Sequence, residues 1–409
     1  MASVKDMTRF GINLSEARKI SHNDFEMLVR QGCKPEIGDV LIAKDGNSAL
    51  DTTCCVDQSL DAVLLSSVAI LRPNPKTLDS HFLKHYLSSP DVIAYLKSNF
   101  ISGAAIPRVV LRDFKKAEIK LPPLKIQRSI AAALDCLDDR IDLLRQTNAT
   151  LESIAQALFK SWFIDFDPVR AKAEGREPQG MDADTAALFP STFEESELGA
   201  IPKGWRVDAI GNVTNCVGGG TPSTKEPAYW FPEQHHWATP KDLSGLGSPV
   251  LLDTDRRLSD VGLAKVSSGL LPVGTLLMSS RAPIGYLAIA QVPLAINQGF
   301  IAMLPGGVLP PEFLYFWCQA NMDGIKQKAN GSTFMEISKA AFRPIALAVP
   351  SQAVAARFSV MAETIFQRIA ACEQQSRQLA ELRDTLLPRL ISGKLRIPEV
   401  QAQVEDVLA

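Results

Sequence analysis

A chain of 409 residues has room for two domains and their connections, and 46% hydrophobic content with 43 basic and 45 acidic residues is the balance of a soluble globular protein. That balance excludes disordered and collagen-like classes. No apolar run approaches the roughly 18 residues of a spanning helix, and the Met1 end, with Lys5, Asp6 and Arg9, lacks the apolar core of a signal peptide, so a cytoplasmic protein is expected. Seven cysteines without framework spacing (Cys33, Cys54, Cys55, Cys136, Cys216, Cys318, Cys372) predict buried thiols and no disulfide. The net charge of -2 argues against a protein that grips nucleic acid by itself, since such domains carry a basic excess.

In residues 1–123, short apolar runs (Val40-Leu41-Ile42, Val63-Leu64-Leu65, Val68-Ala69-Ile70-Leu71) alternate with turn residues and predict strands, with a helix near Ser80 to Leu96. Residues 124–165 predict a long helix, 166–204 a polar linker, 205–350 a second mixed domain, 351–392 a second long helix and 393–409 a polar tail. In the second domain, strands are expected near Thr275 to Met278 and Tyr286 to Ala290, and a helix from Pro311 to Ala329. The two domains are copies of one unit. Ala2-Ser3-Val4-Lys5-Asp6-Met7 returns as Ala238-Thr239-Pro240-Lys241-Asp242-Leu243, Pro35 to Leu41 returns around Pro272 to Leu277, and Leu121-Pro122 answers to Val349-Pro350. In this alignment Met1 falls opposite Trp237, so the first copy has no counterpart of Trp205 to His236 and reads as N-terminally truncated. Apolar strand surface around Val40 to Ile42 should then be exposed. The predicted fold is α+β, with two repeated mixed domains and two long helices.

The helices carry the clearest periodicity. Ile130, Leu134, Leu137, Ile141, Leu144, Asn148, Leu151, Ala155, Leu158 and Trp162 step by four and three, as a coiled-coil seam does. The seam recurs in the second copy as Phe358, Ala362, Ile365, Ile369, Cys372, Ser376, Leu379, Arg383, Leu386 and Leu390. An amphipathic helix lying on its own domain would show similar spacing. From Ile130 to Trp162, however, a helix runs about 50 Å, longer than the face of a domain this size. The two helices are best satisfied by each other, with Asn148 and Ser376 as a matched polar layer that fixes register.

Catalytic motifs are weak. Gly218-Gly219-Gly220-Thr221-Pro222 lacks the Lys-Ser/Thr of a phosphate loop and the spaced glycines of a dinucleotide turn, so it reads as a tight loop admitting another backbone. Asp113 with Glu118-Ile119-Lys120 has the outline of a metal-dependent nuclease, but an exposed strand edge explains it better. His81 and His85 lie four apart on a helix without a third ligand and read as solvated; His235-His236 reads as a polar-loop pair. What remains is binding. Lys5, Lys44, Asn47 and Ser48 in the first copy, and Lys241, Ser279, Ser280, Arg281, Asn297 and Gln298 in the second, are turn residues suited to phosphates and base edges.

Four segments carry a resemblance: Ile119-Lys120-Leu121-Pro122-Pro123-Leu124 with Gln127; Ser161 through Lys172, reading SWFIDFDPVRAK; Ser196 through Trp205, reading SELGAIPKGW; and Gly218 through Ser223, reading GGGTPS. Over practically its whole length the chain resembles the specificity subunit of type I restriction-modification enzymes. The resemblance implies two target-recognition domains, each reading one half of a split DNA sequence, held apart by an antiparallel pair of long helices. It implies docking of two modification subunits that bind S-adenosylmethionine and methylate adenine, with restriction subunits in the complete enzyme. It also implies no cofactor and no catalysis in this chain, and modification subunits closing on the DNA would answer the charge objection. Ala353 to Ala356 replace the glutamine-containing helix start seen at Gln127, a departure expected to weaken one docking contact. The rival readings are a non-catalytic assembly scaffold and a self-contained nuclease or methyltransferase.

Overall fold

A computed structural model describes residues 1–46, 48–103, 107–331 and 335–395. The chain forms two compact units, Met1–Leu143 with Gln375–Ala409, and Leu144–Gln374. Both mix helices and strands, as the α+β reading expects. No helix among the described residues is long and apolar enough to cross a membrane.

In the first unit, Val40–Ala43 is the centre of a three-stranded antiparallel sheet, flanked by Thr53–Cys55 and Val68–Leu71. The run Val63 to Leu65 makes only a bridge, Leu64 pairing in parallel with Ala2. In the second unit, Leu276–Ser279 takes the place of Val40–Ala43, between Leu287–Ala290 and Phe300–Met303. That sheet continues outward to five strands through Cys216–Val217 on one side and Val250–Leu251 on the other. A separate three-stranded sheet pairs His235–Ala238 with Arg256–Leu258 and with Leu294–Ile296. Local chemistry repeats along with topology. Ser3 and Asp6 form a capping box, and so do Thr239 and Asp242. The turns entering both central strands use a glycine in the left-handed region, Gly38 at φ 87° and Gly274 at φ 83°.

Several sequence expectations are corrected. Val40, Leu41 and Ile42 are fully buried, because strands pair on both sides of them, so apolar surface is not exposed there. The helix expected over Ser80 to Leu96 is two, Ser80–Leu87 and Pro90–Phe100, because Pro90 starts a new helix and cannot continue the old one. The helix from Pro311 likewise ends at Ala320 and resumes as Met322–Gln327. The expected linker is folded: Phe166 turns the chain at φ 56° into helix Asp167–Ala173, followed by helix Ala183–Ala187 and hairpin Phe193–Ser196 with Gly199–Pro202. Val169, Phe189 and Ile201 from this stretch are buried beside Trp162 and Trp205. Those anchors lie too far apart in sequence to show a period.

The long helices span Leu124–Phe163 and Gln352–Ile391. Within the second unit they run antiparallel. Phe163 lies 5.1 Å from Phe358 by ring centroids, whereas Glu152, about three turns earlier, accepts a 2.7 Å hydrogen bond from Tyr315, whose ring meets Phe366. Ile130, Leu134, Leu137, Ile141, Leu144, Phe358, Ile369, Leu379 and Leu386 are buried as the seam predicts. Leu151, Leu158 and Ile365 are only half-buried, while Phe159 and Phe366 are buried in their stead. The 3.6-residue turn drifts against a seven-residue repeat, and here the helices also face the aromatic core around Phe313 and Phe316.

Asn148 is buried, and its side-chain oxygen has no hydrogen-bond partner among the described residues. Asn148→Leu should therefore raise stability by about 1–3 kcal/mol, since an unsatisfied buried acceptor is removed. Denaturant unfolding of the full chain checks this; a lower midpoint would show that the amide is needed.

The first unit holds a buried charge network. Asp138 is met by Arg9 at 3.1 Å, Lys84 at 2.8 Å and Arg383 at 2.7 Å, and Asp135 by His81 at 2.9 Å and His85 at 2.8 Å. His81 and His85 are thus both paired with carboxylates, because their helix packs on the acidic face of the first long helix; His81 keeps part of its ring in solvent, as read, whereas His85 is fully buried. Burial holds the His85 pKa below its usual value, so the neutral ring donates from Nε2 to Asp135 and its Nδ1 can accept from Arg9.

Candidate nucleic-acid interface

In the second unit, three loops are drawn to one place by backbone bonds. Asn297 N–H donates to Ala238 C=O at 3.0 Å, Ser280 N–H to Gly299 C=O at 2.8 Å, and Ile337 N–H to Ser280 C=O at 3.0 Å. Gly220 N–H donates to Ile296 C=O at 3.0 Å, bringing in the glycine-rich loop. A Cβ on Gly219 would sit 1.8 Å from the Ile296 carbonyl oxygen, so this loop does admit another backbone, as the sequence suggests.

The side chains gathered there are Thr221, Lys241, Arg281, Asn297 and Gln298. Gln298 bonds Thr221 at 2.5 Å, Lys241 pairs with Asp255 at 2.8 Å, and Arg281 lies 3.7 Å from Glu336. Asn297 accepts from Gly299 N–H at 2.8 Å, which leaves its amide nitrogen to donate outside its own turn. Ser279 and Ser280 are buried. The Ser279 hydroxyl is occupied inside the turn, donating to Pro283 C=O and accepting from Gly285 and Tyr286 N–H. It shapes the turn that carries Arg281.

The first unit repeats this frame with other side chains. Leu65 N–H donates to Ala2 C=O at 2.8 Å, Lys44 N–H to Ser67 C=O at 2.8 Å, and Val109 N–H to Lys44 C=O at 2.9 Å. Lys5 is exposed beside Ser3, Lys44 and Ser48 are half-buried, and Asn47 lies outside the described residues. Lys44 stands where Ser280 stands, and Leu65 and Ser66 where Asn297 and Gln298 stand. The bridging ion pair is reversed: Asp45 with Arg108 at 3.0 Å in the first unit, Arg281 with Glu336 in the second.

Two further features escaped the sequence reading. Arg256 stacks 3.5 Å from the Trp230 ring centroid and 5.3 Å from that of Trp237, fixing an exposed cation beside the glycine loop, whose Gly220 C=O accepts from Trp237 Nε1. His235 and His236 lie on a strand and pair with Asp260 and Asp253. The tryptophans and arginines are distant in sequence, so no local pattern announces the stack. Two acid-and-imidazole groups in the first unit have metal-like spacing, Cys55 with Asp57 and His81, and His85 with Asp135 and Asp138. In the second of these Lys84, Arg9 and Arg383 already balance the carboxylates, and the Cys55 thiol of the first is pushed well above its usual pKa by burial. Gln127 is buried and ties the helix start to its own domain, accepting from Asp79 N–H and donating to Thr77 and Pro122 C=O. Its replacement in the second copy therefore concerns packing rather than partner docking.

Fold and site define a binding protein made of two copies of one scaffold that present different polar surfaces. Residues 22–153 and 202–376 match the type I restriction modification DNA specificity domain family, and the chain belongs to that family. It is 27% identical over 391 residues to the type I restriction enzyme HindI specificity subunit of Haemophilus influenzae, covering 83% of each chain. It is 37% identical over 165 residues to the MjaIX specificity subunit of Methanocaldococcus jannaschii, covering 40% of this chain and 38% of that one. The crystal structure of a type I restriction-modification S subunit from M. genitalium shares the fold, at a TM-score of 0.50 and 17% identity over 87% of this chain and 84% of that one.

Proposed function

We propose that each of the two loop clusters reads one half of a bipartite DNA target. The chain is the sequence-specific DNA-recognition subunit of a type I restriction-modification complex and is itself non-catalytic. The single observation that carries the two-reader proposal is the shared hydrogen-bond frame with unlike side chains. Backbone bonds hold Lys44, Asp45, Leu65 and Ser66 in one copy and Ser280, Arg281, Asn297 and Gln298 in the other at matching places. A shared frame with exchanged donors and acceptors is what two different half-sites require, since base edges differ in donor and acceptor pattern. Exposed Lys5 and Lys241, each inside a repeated capping turn, suit phosphates, which position a reader without specifying sequence. The long helices are the docking elements for two modification subunits, restriction subunits join in the full complex, and the assembly works in the cytoplasm.

The test is methylation mapping with the reconstituted complex. Asn297→Ala with Gln298→Ala should relax one half-site, at about 1–3 kcal/mol for each amide-to-base pairing removed, and leave the other half strict. Relaxation of both halves, or of neither, would remove these loops from the reading surface.

A further inference from the structure

His81 lacks a third ligand in the sequence, and the fold supplies partners for it from another segment of the first unit. Cys55 ends the strand Thr53–Cys55, Asp57 follows two residues later, and His81 stands in the first turn of helix Ser80–Leu87. One ligand atom from each of the three lies within 4.8 Å of the other two. His81 Nε2 is 3.1 Å from Asp57 Oδ1, and the Cys55 thiol donates at 3.5 Å to the carbonyl of Ser80, the residue before His81. Cys55 is buried at the base of the cluster, while the side chains of Asp57 and His81 are 62% and 39% exposed at its mouth.

A second arrangement stands behind the first. The other ring nitrogen of His81, Nδ1, lies 2.9 Å from Asp135 Oδ2, and Asp135 is itself held by His85 at 2.8 Å and Lys84 at 3.5 Å. An imidazole with one nitrogen against a fixed carboxylate, and the other turned to a thiol and a second carboxylate, is set up as a metal ligand, because the carboxylate behind it fixes the ring and makes it more basic towards an ion. The second copy lacks the set. Ile289 pairs with Leu276 as Cys55 pairs with Val40, so Ile289 and Gln291 stand where Cys55 and Asp57 stand, and Glu312 stands where His81 stands. The shared scaffold therefore does not require this cluster.

We propose that Cys55, Asp57 and His81 bind one zinc ion in the first domain, with the fourth position left to solvent. A thiolate and an imidazole select Zn²⁺ over Mg²⁺ and Ca²⁺, which take oxygen ligands. A tetrahedral ion about 2.0–2.3 Å from each ligand sets the ligand atoms about 3.5 Å apart, so the cluster closes on it by a shift of about 1 Å in the exposed side chains. Charge balances too, since the divalent ion replaces one proton between His81 Nε2 and Asp57 and one on Cys55 Sγ. Burial raises the pKa of the Cys55 thiol and makes its proton the harder to displace, which a thiophilic cation does and a hard one does not. Once bound, the ion fastens the strand that pairs with Val40–Ile42 to the start of helix Ser80–Leu87, and so stabilises the first domain alone.

The test uses the full chain, stripped by chelator and carrying Cys136→Ser to remove the exposed thiol. Co²⁺ titrated into it should give a thiolate-to-cobalt charge-transfer band and the intense visible bands of four-coordination, saturating at one ion per chain. Zn²⁺ should abolish both, and excess Mg²⁺ should not. Asp57→Ala and His81→Gln, each at a side chain open to solvent, should weaken Co²⁺ binding at least about tenfold with the far-ultraviolet circular dichroism unchanged. Cys55→Ser should remove the charge-transfer band. Zn²⁺ should also slow hydrogen exchange at residues 53–57 and 80–82 and leave the matching residues 287–291 and 311–313 as they were. Absence of the charge-transfer band, unchanged affinity in Asp57→Ala and His81→Gln, or equal protection of both domains by Zn²⁺ would each overturn the proposal.

Discussion

Replacing residues 205–349 with the corresponding domain of a relative should change one half of the methylated sequence completely and leave the other half as it was. The graft is geometrically favourable because its two ends meet: Arg206 pairs with Val349 across an antiparallel ladder, so both junctions sit side by side. What must survive the exchange is the packing beneath it. Phe163 meets Trp205 at 5.9 Å and Phe313 at 4.8 Å, and Tyr315 bonds Glu152 of the first long helix. A donor domain that keeps Trp205, Phe313, Tyr315 and Leu347 retains this core. The measurement is methylation mapping on genomic DNA from cells carrying the chimera. A change in both halves together would mean that the two domains do not read separately.

Asp138→Ala should cost about 3–5 kcal/mol, the penalty expected when one partner of a buried ion network is removed and the others stay buried. Arg9, Lys84 and Arg383 all converge on this carboxylate, which is 2% exposed. Burial opposes its ionisation, but the charges of Lys84, Arg9 and Arg383 overcome that and hold its pKa at about 2. The stability it contributes is therefore present above its ordinary value near 3.8 and lost as pH falls towards 2. His81 has the opposite sign. Hydrogen bonds to Asp135 and then to Asp57 raise its pKa to about 10, so its contribution is complete below 6.5 and disappears as pH rises through 10. Hydrogen exchange across the chain should show residues 1–123 losing protection in Asp138→Ala at neutral pH while residues 205–350 keep theirs. Equal loss in both regions, or no loss, would refute a local role for the network.

The contrast between the two copies explains where the mutation acts. The helix that carries His81, Lys84 and His85 in the first domain has Glu312, Tyr315 and Phe316 at the matching places in the second. One domain is fastened to the long helices by ions, the other by aromatic rings. A buried ion network is sensitive to pH and to removal of one member, whereas stacked rings are sensitive to volume.

The sequence by itself determined the α+β class, the internal repeat, the two long helices and membership in a DNA-specificity family. These follow from short-range signals: heptad-like spacing, turn glycines, Pro stops and segments long enough to be matched. The repeat of Ala2–Met7 as Ala238–Leu243 was read from sequence, but that Ser3 with Asp6 and Thr239 with Asp242 form capping boxes came with the structure. Only the tertiary structure decided the rest. The histidines read as solvated are paired because Asp135, fifty residues after His85, faces them from another helix. The stretch read as a linker is folded because Val169, Phe189 and Ile201 meet tryptophans that no window of sequence contains. Ser279 shapes its turn rather than facing outward because its hydroxyl meets three backbone groups of that turn, and Arg256 is held by rings from two separate segments. Pairing and burial are properties of three-dimensional neighbours, and local spacing along a chain carries no record of which distant residue will arrive.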